Sequence, residues 1–94
     1  MKFPKPSRYS VGVKIENTLL EVIELLYLAQ SKRGNSRLLI LNKADILLRI
    51  LFVHLRLAYK IKCLNDAGFA ILSEKLIEIG KMVGGWIKYT NTSQ

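Results

Sequence analysis

Residues 36–63 read SRLLILNKADILLRILFVHLRLAYKIKC and form the longest periodic segment of the chain. Apolar residues recur in this segment every three to four positions, which is the spacing of one face of an α-helix. The predicted core stripe of this helix is Ile40, Ala44, Leu47, Leu51, His54, Ala58 and Ile61, with Leu48, Ile50, Leu55 and Leu57 on its flanks. The polar residues keep only a narrow strip, made of Asn42, Asp45, Arg49, Arg56 and Lys60. We therefore expect a helix that is apolar over most of its circumference.

Two more helical segments lie on either side of this one. Residues 7–30 place one apolar stripe at helical spacing, made of Ile15, Leu19, Val22, Leu26 and Ala29. Residues 66–89 do the same with Phe69, Leu72, Leu76, Ile79, Val83 and Ile87, beside a flank of Ile71, Met82 and Trp86. Polar turns at residues 31–36 and 65–68 separate the segments, and short turns between rods of similar length force antiparallel neighbours. The sequence therefore predicts an all-α, up-down-up helical bundle, with residues 1–94 as a single domain.

Composition limits the classes of function. A chain of 94 residues that is 50% apolar and carries a net charge of +8 allows one small domain, and excludes both a two-domain enzyme and intrinsic disorder. One cysteine, Cys63, and one histidine, His54, are too few for an internal disulfide or a structural zinc site. A core this small gains burial by self-association, so we expect an oligomer in a reducing cytoplasm. The basic, proline-containing start of the chain and the charges within residues 38–59 argue against a signal peptide and a membrane span.

The first helix has a second apolar face. Val13, Leu20, Tyr27 and Leu28 lie opposite its core stripe. Together with the broad apolar surface of the second helix, this is more than three helices can cover, so we expect exposed patches of the kind that mark interfaces. Leu20 and Tyr27 are the predicted contacts between subunits. The alternative is that these residues only broaden the core seam.

Positive charge is concentrated in the N-terminal residues, the first turn and the second helix. Arg49, Arg56 and Lys60 are seven and four residues apart, so they align on one helix face as a stripe that a polyanion can follow. This pattern indicates nucleic-acid binding. The alternative is a solvated face that keeps an apolar protein soluble.

Patterns of catalytic or metal-binding residues are absent from the sequence. The acidic residues have spacings typical of solvated helix faces, and none joins a histidine in the Glu-x-x-His pattern of di-metal bundles. His54 falls on the core stripe, where we expect a buried and hydrogen-bonded histidine, and Cys63 belongs to no nucleophile motif. Gly34 and Gly68 are isolated turn glycines and not part of a phosphate loop. We therefore expect no enzyme activity, no catalytic residue, no metal and no cofactor.

Three glycines lie within six residues of the third helix. Gly80, Gly84 and Gly85 each cost about 1 kcal/mol relative to alanine inside a helix, and Trp86 follows them directly. We expect Gly80 and Gly84, one turn apart, to let a neighbouring backbone approach closely, with Trp86 as a large anchor beside them. The alternative is a helix that frays or ends near Gly84.

Three parts of the sequence carry a family resemblance. They are Phe3-Pro4, RYSVGVKIENT at residues 8–18, and SEKLIEIGKMVGGWIK at residues 73–88. Together they resemble the accessory variability determinant (Avd) proteins of diversity-generating retroelements, part of a four-helix-bundle group that includes the ribosomal intervening-sequence proteins. The similarity covers nearly the whole chain, and the Glu-x-Gly-x-x-x-Gly-Gly-Trp-Ile-Lys ending is its more specific part.

The resemblance implies a homopentameric, barrel-like assembly of helical bundles with a basic surface. Such an assembly would bind the reverse transcriptase of the element and its template RNA, and would support the adenine-mutagenic cDNA synthesis of mutagenic retrohoming. Arg49, Arg56 and Lys60 match the basic residues of the family best, followed by Arg8 and Lys14.

The resemblance also leaves one departure and two alternatives. Avd proteins usually carry a further helix before the Phe3-Pro4 lead-in, so the resemblance implies that the family's first helix is missing here. One alternative is an intervening-sequence-type protein with a structural or interaction role and no reverse transcriptase partner. A more distant one is a toxin–antitoxin-like or DNA-binding module.

Overall fold

The computed structural model describes residues 11–92, and within this range the chain forms three α-helices and no strand. Helix α1 spans Val13–Gln30, α2 spans Gly34–Lys60 and α3 spans Asp66–Thr92. The all-α prediction is therefore confirmed. The predicted first helix starts at residue 7, and residues 7–10 lie outside the described range. Helix α2 begins two residues earlier and ends three residues earlier than predicted, whereas α3 continues three residues further.

Helix α2 is the middle helix of the fold. Both α1 and α3 pack against it, while no Cα of α1 lies within 8 Å of a Cα of α3 among the described residues. The Cα atoms extend over 47 × 21 × 15 Å, so the molecule is a thin rod about as long as its helices. Side chains alone join α1 to α3, and α2 must bury apolar groups toward both neighbours.

The core consists of two clusters along this rod. One gathers Val11, Leu55, Ala58, Cys63 and Leu64, with half-buried side chains of α1 and α3 against it. The other joins one buried residue from each helix, Val22, Leu48 and Val83. Leu76 packs against both clusters and so connects them. Because each cluster contains side chains from all three helices, the fold is a helical bundle.

The turn from α1 to α2 depends on a glycine and an arginine. Gly34 has a positive φ of 57°, a conformation that costs little only for a residue without a Cβ. Three residues later, Nε of Arg37 donates a hydrogen bond of 2.9 Å to the carbonyl oxygen of Ala29. The Arg37 guanidinium also lies 5.3 Å from the ring centroid of Trp86 on α3. Arg37 therefore contacts all three helices at this end of the bundle.

The turn from α2 to α3 explains why α2 ends before residue 63. Lys62 takes a left-handed conformation with φ of 63°, and its N–H donates to Tyr59 O, while the N–H of Cys63 donates to Ala58 O at 2.9 Å. These two bonds are those of a Schellman motif, here with a lysine where glycine is usual. Asn65 is the N-cap of α3, because its side-chain oxygen accepts the N–H of Gly68 at 2.7 Å.

The phase of the predicted core stripes is right for α3 and partly wrong for α2 and α1. All six seam residues of α3 are buried or half-buried. In α2 the buried residues are Leu41, Ala44, Leu48, Leu51, Leu55 and Ala58. Ala44, Leu51 and Ala58 belong to the predicted stripe, but Leu48 and Leu55 were predicted on its flank, so the centre of the core lies between the two. Ile40, Leu47, His54 and Ile61 lie at the edge of this core and are only half-buried. Leu19 of α1 is exposed, and Thr18 is buried instead.

Candidate nucleic-acid interface

The basic stripe of α2 is exposed, as its spacing predicts. Arg49, Arg56 and Lys60 all face solvent, and the Arg49 side chain is 80% exposed. Arg49 forms an ion pair with Asp45 one turn earlier, with 3.2 Å between Nη2 and Oδ2. An exposed pair of this kind contributes about 0–1 kcal/mol, so an incoming phosphate can displace the carboxylate at little cost.

Arg56 is held over an aromatic ring. Its guanidinium carbon lies 5.1 Å from the ring centroid of Phe52, one turn earlier on the same helix. Cation–π contact fixes the plane of the guanidinium without using its N–H donors. Those donors remain available for a bidentate contact with a phosphate.

Arg49 and Arg56 stand on the rim of a groove between α2 and α3. The groove has a volume of about 290 Å³. Its lining is Asp45, Leu48, Arg49, Phe52, Val53 and Arg56 from α2, with Leu76, Ile77 and Gly80 from α3. An apolar floor with cationic groups along one edge suits single-stranded nucleic acid, whose phosphates bind cations and whose flat bases pack on apolar side chains. The structure thus brings two of the predicted binding residues to one feature.

Lys60 borders a different, larger depression at the turn between α2 and α3. This depression, about 900 Å³, is also lined by Lys62, Cys63, Asn65 and Asp66. On its edge the hydroxyl of Tyr59 donates a 2.5 Å hydrogen bond to Oδ1 of Asp66, and its ring stacks on Phe69 with centroids 4.4 Å apart. That hydrogen bond and the charge of Asp66 raise the pKa of Tyr59 above its usual value of 10.0. Tyr59 therefore stays neutral over the physiological range.

The remaining predicted binding residues lie away from the groove. Lys14 is exposed in the first turn of α1 and lines neither concave site. Arg8 lies outside the described residues. The candidate interface therefore consists of Arg49 and Arg56 at the groove, extended by Lys60 toward the end of α2.

One comparison with known proteins gives a match to this chain. A family model described as bAvd-like matches residues 1–90. The chain belongs to the bAvd-like family. This confirms the resemblance to accessory variability determinant proteins that the sequence motifs carry. No curated protein and no solved structure matched the chain.

Membership of the bAvd-like family gives a coarse statement of function. It indicates an accessory protein of a diversity-generating retroelement. Proteins of this family are in general non-catalytic and associate with the reverse transcriptase of the element. Within residues 11–92 of this bAvd-like chain, no three His, Cys, Asp or Glu side chains are grouped closely enough to hold a metal ion. The helices found in the same range include none with the length and apolar character needed to cross a membrane.

Two of the predicted subunit contacts in this bAvd-like chain are exposed. Leu20 and Tyr27 both face solvent, and Tyr27 is 74% exposed. Trp86 is different, since it is half-buried and covered by Arg37 of its own chain. It therefore already anchors α2 to α3 inside the subunit, a role that its sequence position did not indicate.

The three glycines of α3 have no close neighbour in the described part of this bAvd-like chain. A Cβ added at Gly80, Gly84 or Gly85 would meet no other heavy atom within 4 Å. These glycines therefore do not allow a close approach of another helix within the described subunit. An approach by a second subunit stays a prediction. The helix continues through all three to Thr92, so the alternative of an end near Gly84 is wrong.

Two further findings were not predicted. His54 is half-buried, and its Nδ1 atom is buried with no hydrogen-bond partner in the described structure, so the expected satisfied histidine is wrong for this atom. Phe52 was part of no predicted site, although it supports Arg56. The only signal in the sequence was the four-residue spacing between these two side chains, which places them on the same helix face.

Proposed function

We propose that this protein is a non-enzymatic accessory factor of a diversity-generating retroelement. It binds the reverse transcriptase of the element and its template RNA or cDNA through the basic surface of a homo-oligomer, and so supports mutagenic retrohoming. A pentamer is the assembly favoured by the family resemblance. The observation that carries the proposal is the bAvd-like match over residues 1–90, together with the exposed Arg49 and Arg56 on one groove.

The chemistry of the stripe supports contact with the nucleic-acid backbone. Helix α2 carries five basic residues and one acidic residue, Asp45, which is already paired with Arg49. Guanidinium and ammonium groups that face solvent bind phosphates and position a strand, but they carry no base-specific information. An oligomer repeats the stripe in every subunit, so one strand can follow several copies. We therefore expect binding with little sequence preference and a steep dependence on salt.

Replacing the stripe tests the nucleic-acid part of the proposal. The triple variant Arg49→Ala, Arg56→Ala, Lys60→Ala removes three exposed cations without touching the buried core. We expect weaker binding of single-stranded RNA, with the slope of log K against log salt reduced by about 0.7 for each lost contact. Fluorescence anisotropy with a labelled RNA, measured across a salt series, gives both quantities.

A matched control separates local contacts from total charge. The variant Lys75→Ala, Lys81→Ala, Lys88→Ala removes the same charge from exposed positions on α3. We expect it to bind RNA much more like the wild-type protein, because none of these lysines lines the groove. Equal losses in both triple variants, or no loss in either, would contradict the assignment to α2.

The reverse transcriptase part needs its own test. Co-purification with a reverse transcriptase encoded beside this gene should yield a stable complex that survives nuclease treatment. A genome that places the gene next to a reverse transcriptase and near-identical repeats supports the proposal. A location inside a ribosomal RNA insertion would favour the intervening-sequence alternative instead.

A further inference from the structure

The outer face of α1 is both apolar and acidic. Val13, Leu20, Ile23 and Tyr27 are exposed on it, although three of the four lie at the seven-residue spacing of a helix seam. Glu16 and Glu24 share this surface, and both face solvent. We call these six residues the acidic face of α1. It points away from the core, because the buried residues Thr18, Val22 and Ala29 lie on the opposite side of the helix.

The outer face of α2 is apolar and basic. Its exposed apolar residues follow one stripe along the helix, made of Leu39, Ile46, Ile50, Val53 and Leu57. Lys43 falls on the same helical spacing. Arg49 and Arg56 border these apolar residues on the side of α3, and Lys60 lies beyond the last of them, at the end of α2. We call the stripe with these four cations the basic face of α2. Nothing in the described part of the subunit covers it.

The charges of the two faces are complementary. Helix α1 carries three acidic residues and one basic residue, α2 carries five basic and one acidic, and α3 carries three of each. The ion pair between Arg49 and Asp45 is the only one within residues 11–92, so the glutamates of α1 have no ionic partner among these residues. Packing α1 against a second α1, or α2 against a second α2, would bring like charges together. Packing α1 against α2 brings opposite charges together around two apolar stripes.

We propose that the acidic face of α1 in one copy of this chain docks on the basic face of α2 in a second copy. This inference rests on the proposed homo-oligomer and specifies the surfaces that build it. The two faces are different surfaces of one subunit, so the contact is heterologous. Every added copy leaves one free face of each kind, and growth stops only when the subunits close into a ring. Arg49 and Arg56 lie at the border of this contact, next to the groove that nucleic acid is proposed to use.

Two double variants test this arrangement, and each of them blocks one of the two faces. Leu20→Lys with Tyr27→Lys places positive charge on the acidic face of α1, where it repels the basic face of α2. Ile46→Glu with Val53→Glu places negative charge on the basic face of α2, where it repels the acidic face of α1. All four side chains are exposed, so the core of the subunit is unchanged. Native mass spectrometry and light scattering report the number of subunits.

The expected result is specific to a heterologous contact. Wild-type protein forms a closed oligomer, and each double variant alone is a monomer. An equal mixture of the two variants forms a one-to-one dimer that does not grow, because each partner supplies the face that the other lacks. A control variant with Glu74→Lys and Glu78→Lys on α3 makes charge changes outside both faces and should assemble like the wild type.

Several results would overturn the inference. A double variant that still dimerises alone shows a contact between subunits that does not need both faces, and a mixture that stays monomeric shows that the two faces do not bind each other. Circular dichroism checks that each variant is helical. If a double variant is not helical, the single substitution Tyr27→Lys or Val53→Glu on the same face is used in its place. RNA binding by the wild type is measured separately. If RNA binding persists while the mixture stays monomeric, the docking inference fails and the proposed function stands.

Discussion

The two faces of α2 are made of the same kinds of residue but differ in what covers them. The inner face carries Leu41, Leu48, Leu51 and Leu55, all buried between α1 and α3. The outer face is similarly rich in aliphatic residues, yet Leu39 on it is 75% exposed. Apolar side chains therefore show that a helix needs partners, but not which partners belong to the same subunit. The stability of the subunit should depend on the inner face, and its assembly on the outer face.

The largest expected effect comes from shortening one side chain on the inner face. Leu51 is 2% exposed in the core, and we expect Leu51→Ala to lower the free energy of unfolding by about 2–5 kcal/mol. The matched change on the outer face is Val53→Ala, where the side chain is 62% exposed. It should change the stability of the isolated subunit by less than about 0.5 kcal/mol. Urea unfolding followed by circular dichroism measures both.

Protein concentration sharpens this contrast. If the outer face is an interface, the cost of Val53→Ala grows with protein concentration, whereas the cost of Leu51→Ala in the isolated subunit is set by its own core. A cost for Val53→Ala as large as that for Leu51→Ala at every concentration would remove the distinction between the two faces.

A gain of stability is expected on the outer side of α3. Gly84→Ala adds a methyl group where no neighbouring atom lies within 4 Å, so the better helix propensity of alanine should stabilise the subunit by about 1 kcal/mol. Gly68→Ala is the control, because its Cβ would lie 3.0 Å from Cδ1 of Leu64 and 3.1 Å from Oδ1 of Asn65. We expect little or no gain there. Thermal melts at low protein concentration compare the two variants.

A second measurement on Gly84→Ala concerns assembly. If a second subunit approaches α3 at these glycines, the added methyl group weakens the oligomer while the subunit itself becomes more stable. Unchanged oligomer stability in light scattering would contradict a role for Gly84 in subunit contact. A loss of stability in the isolated subunit would contradict the open space around Gly84.

The smallest expected effect lies at the edge of the outer face. Asp45→Asn removes the ionic partner of Arg49, so no ion pair has to break before the Arg49 guanidinium binds a phosphate. The gain in RNA binding should stay under about 1 kcal/mol, since exposed ion pairs are weak. Glu78→Gln on α3 makes the same change in net charge away from the groove. Equal gains in the two variants in an RNA titration would indicate a general charge effect.

The sequence predicts the helices of this protein better than it predicts their faces. The turns and the N-cap at Asn65 follow from local chemistry, which needs no knowledge of the neighbours. The sequence predicts the seam of α3 in the right phase because the charged residues Glu74, Glu78 and Lys81 lie on the side of the helix opposite to it. In α2 apolar residues point in nearly all directions, so periodicity alone could not show that Leu48 and Leu55 lie nearer the core centre than Leu47 and His54.

The candidate site was predictable only in part, for a related reason. Helical spacing placed Arg49, Arg56 and Lys60 along one side of α2, and all three are exposed there. The groove beside them depends on how α3 lies against α2, which the sequence of α2 does not contain. The contact of Arg37 with Trp86 depends in the same way on the register between two helices, so no local pattern indicated it.

The contacts of Arg37 also link local unfolding at the C-terminus of α1 to local unfolding of α3 at Trp86. Helix α1 has no basic residue in its last turn, so the partial negative charge of its C-terminal carbonyls is met from α2, where Nε and Nη2 of Arg37 donate to Ala29 and Gln30. The same guanidinium covers Trp86. Fraying of α3 at Trp86 therefore removes one support of the C-terminus of α1. In native-state hydrogen exchange, the amides near Gln30 and those near Trp86 should exchange as one cooperative unit, and Arg37→Ala should separate them.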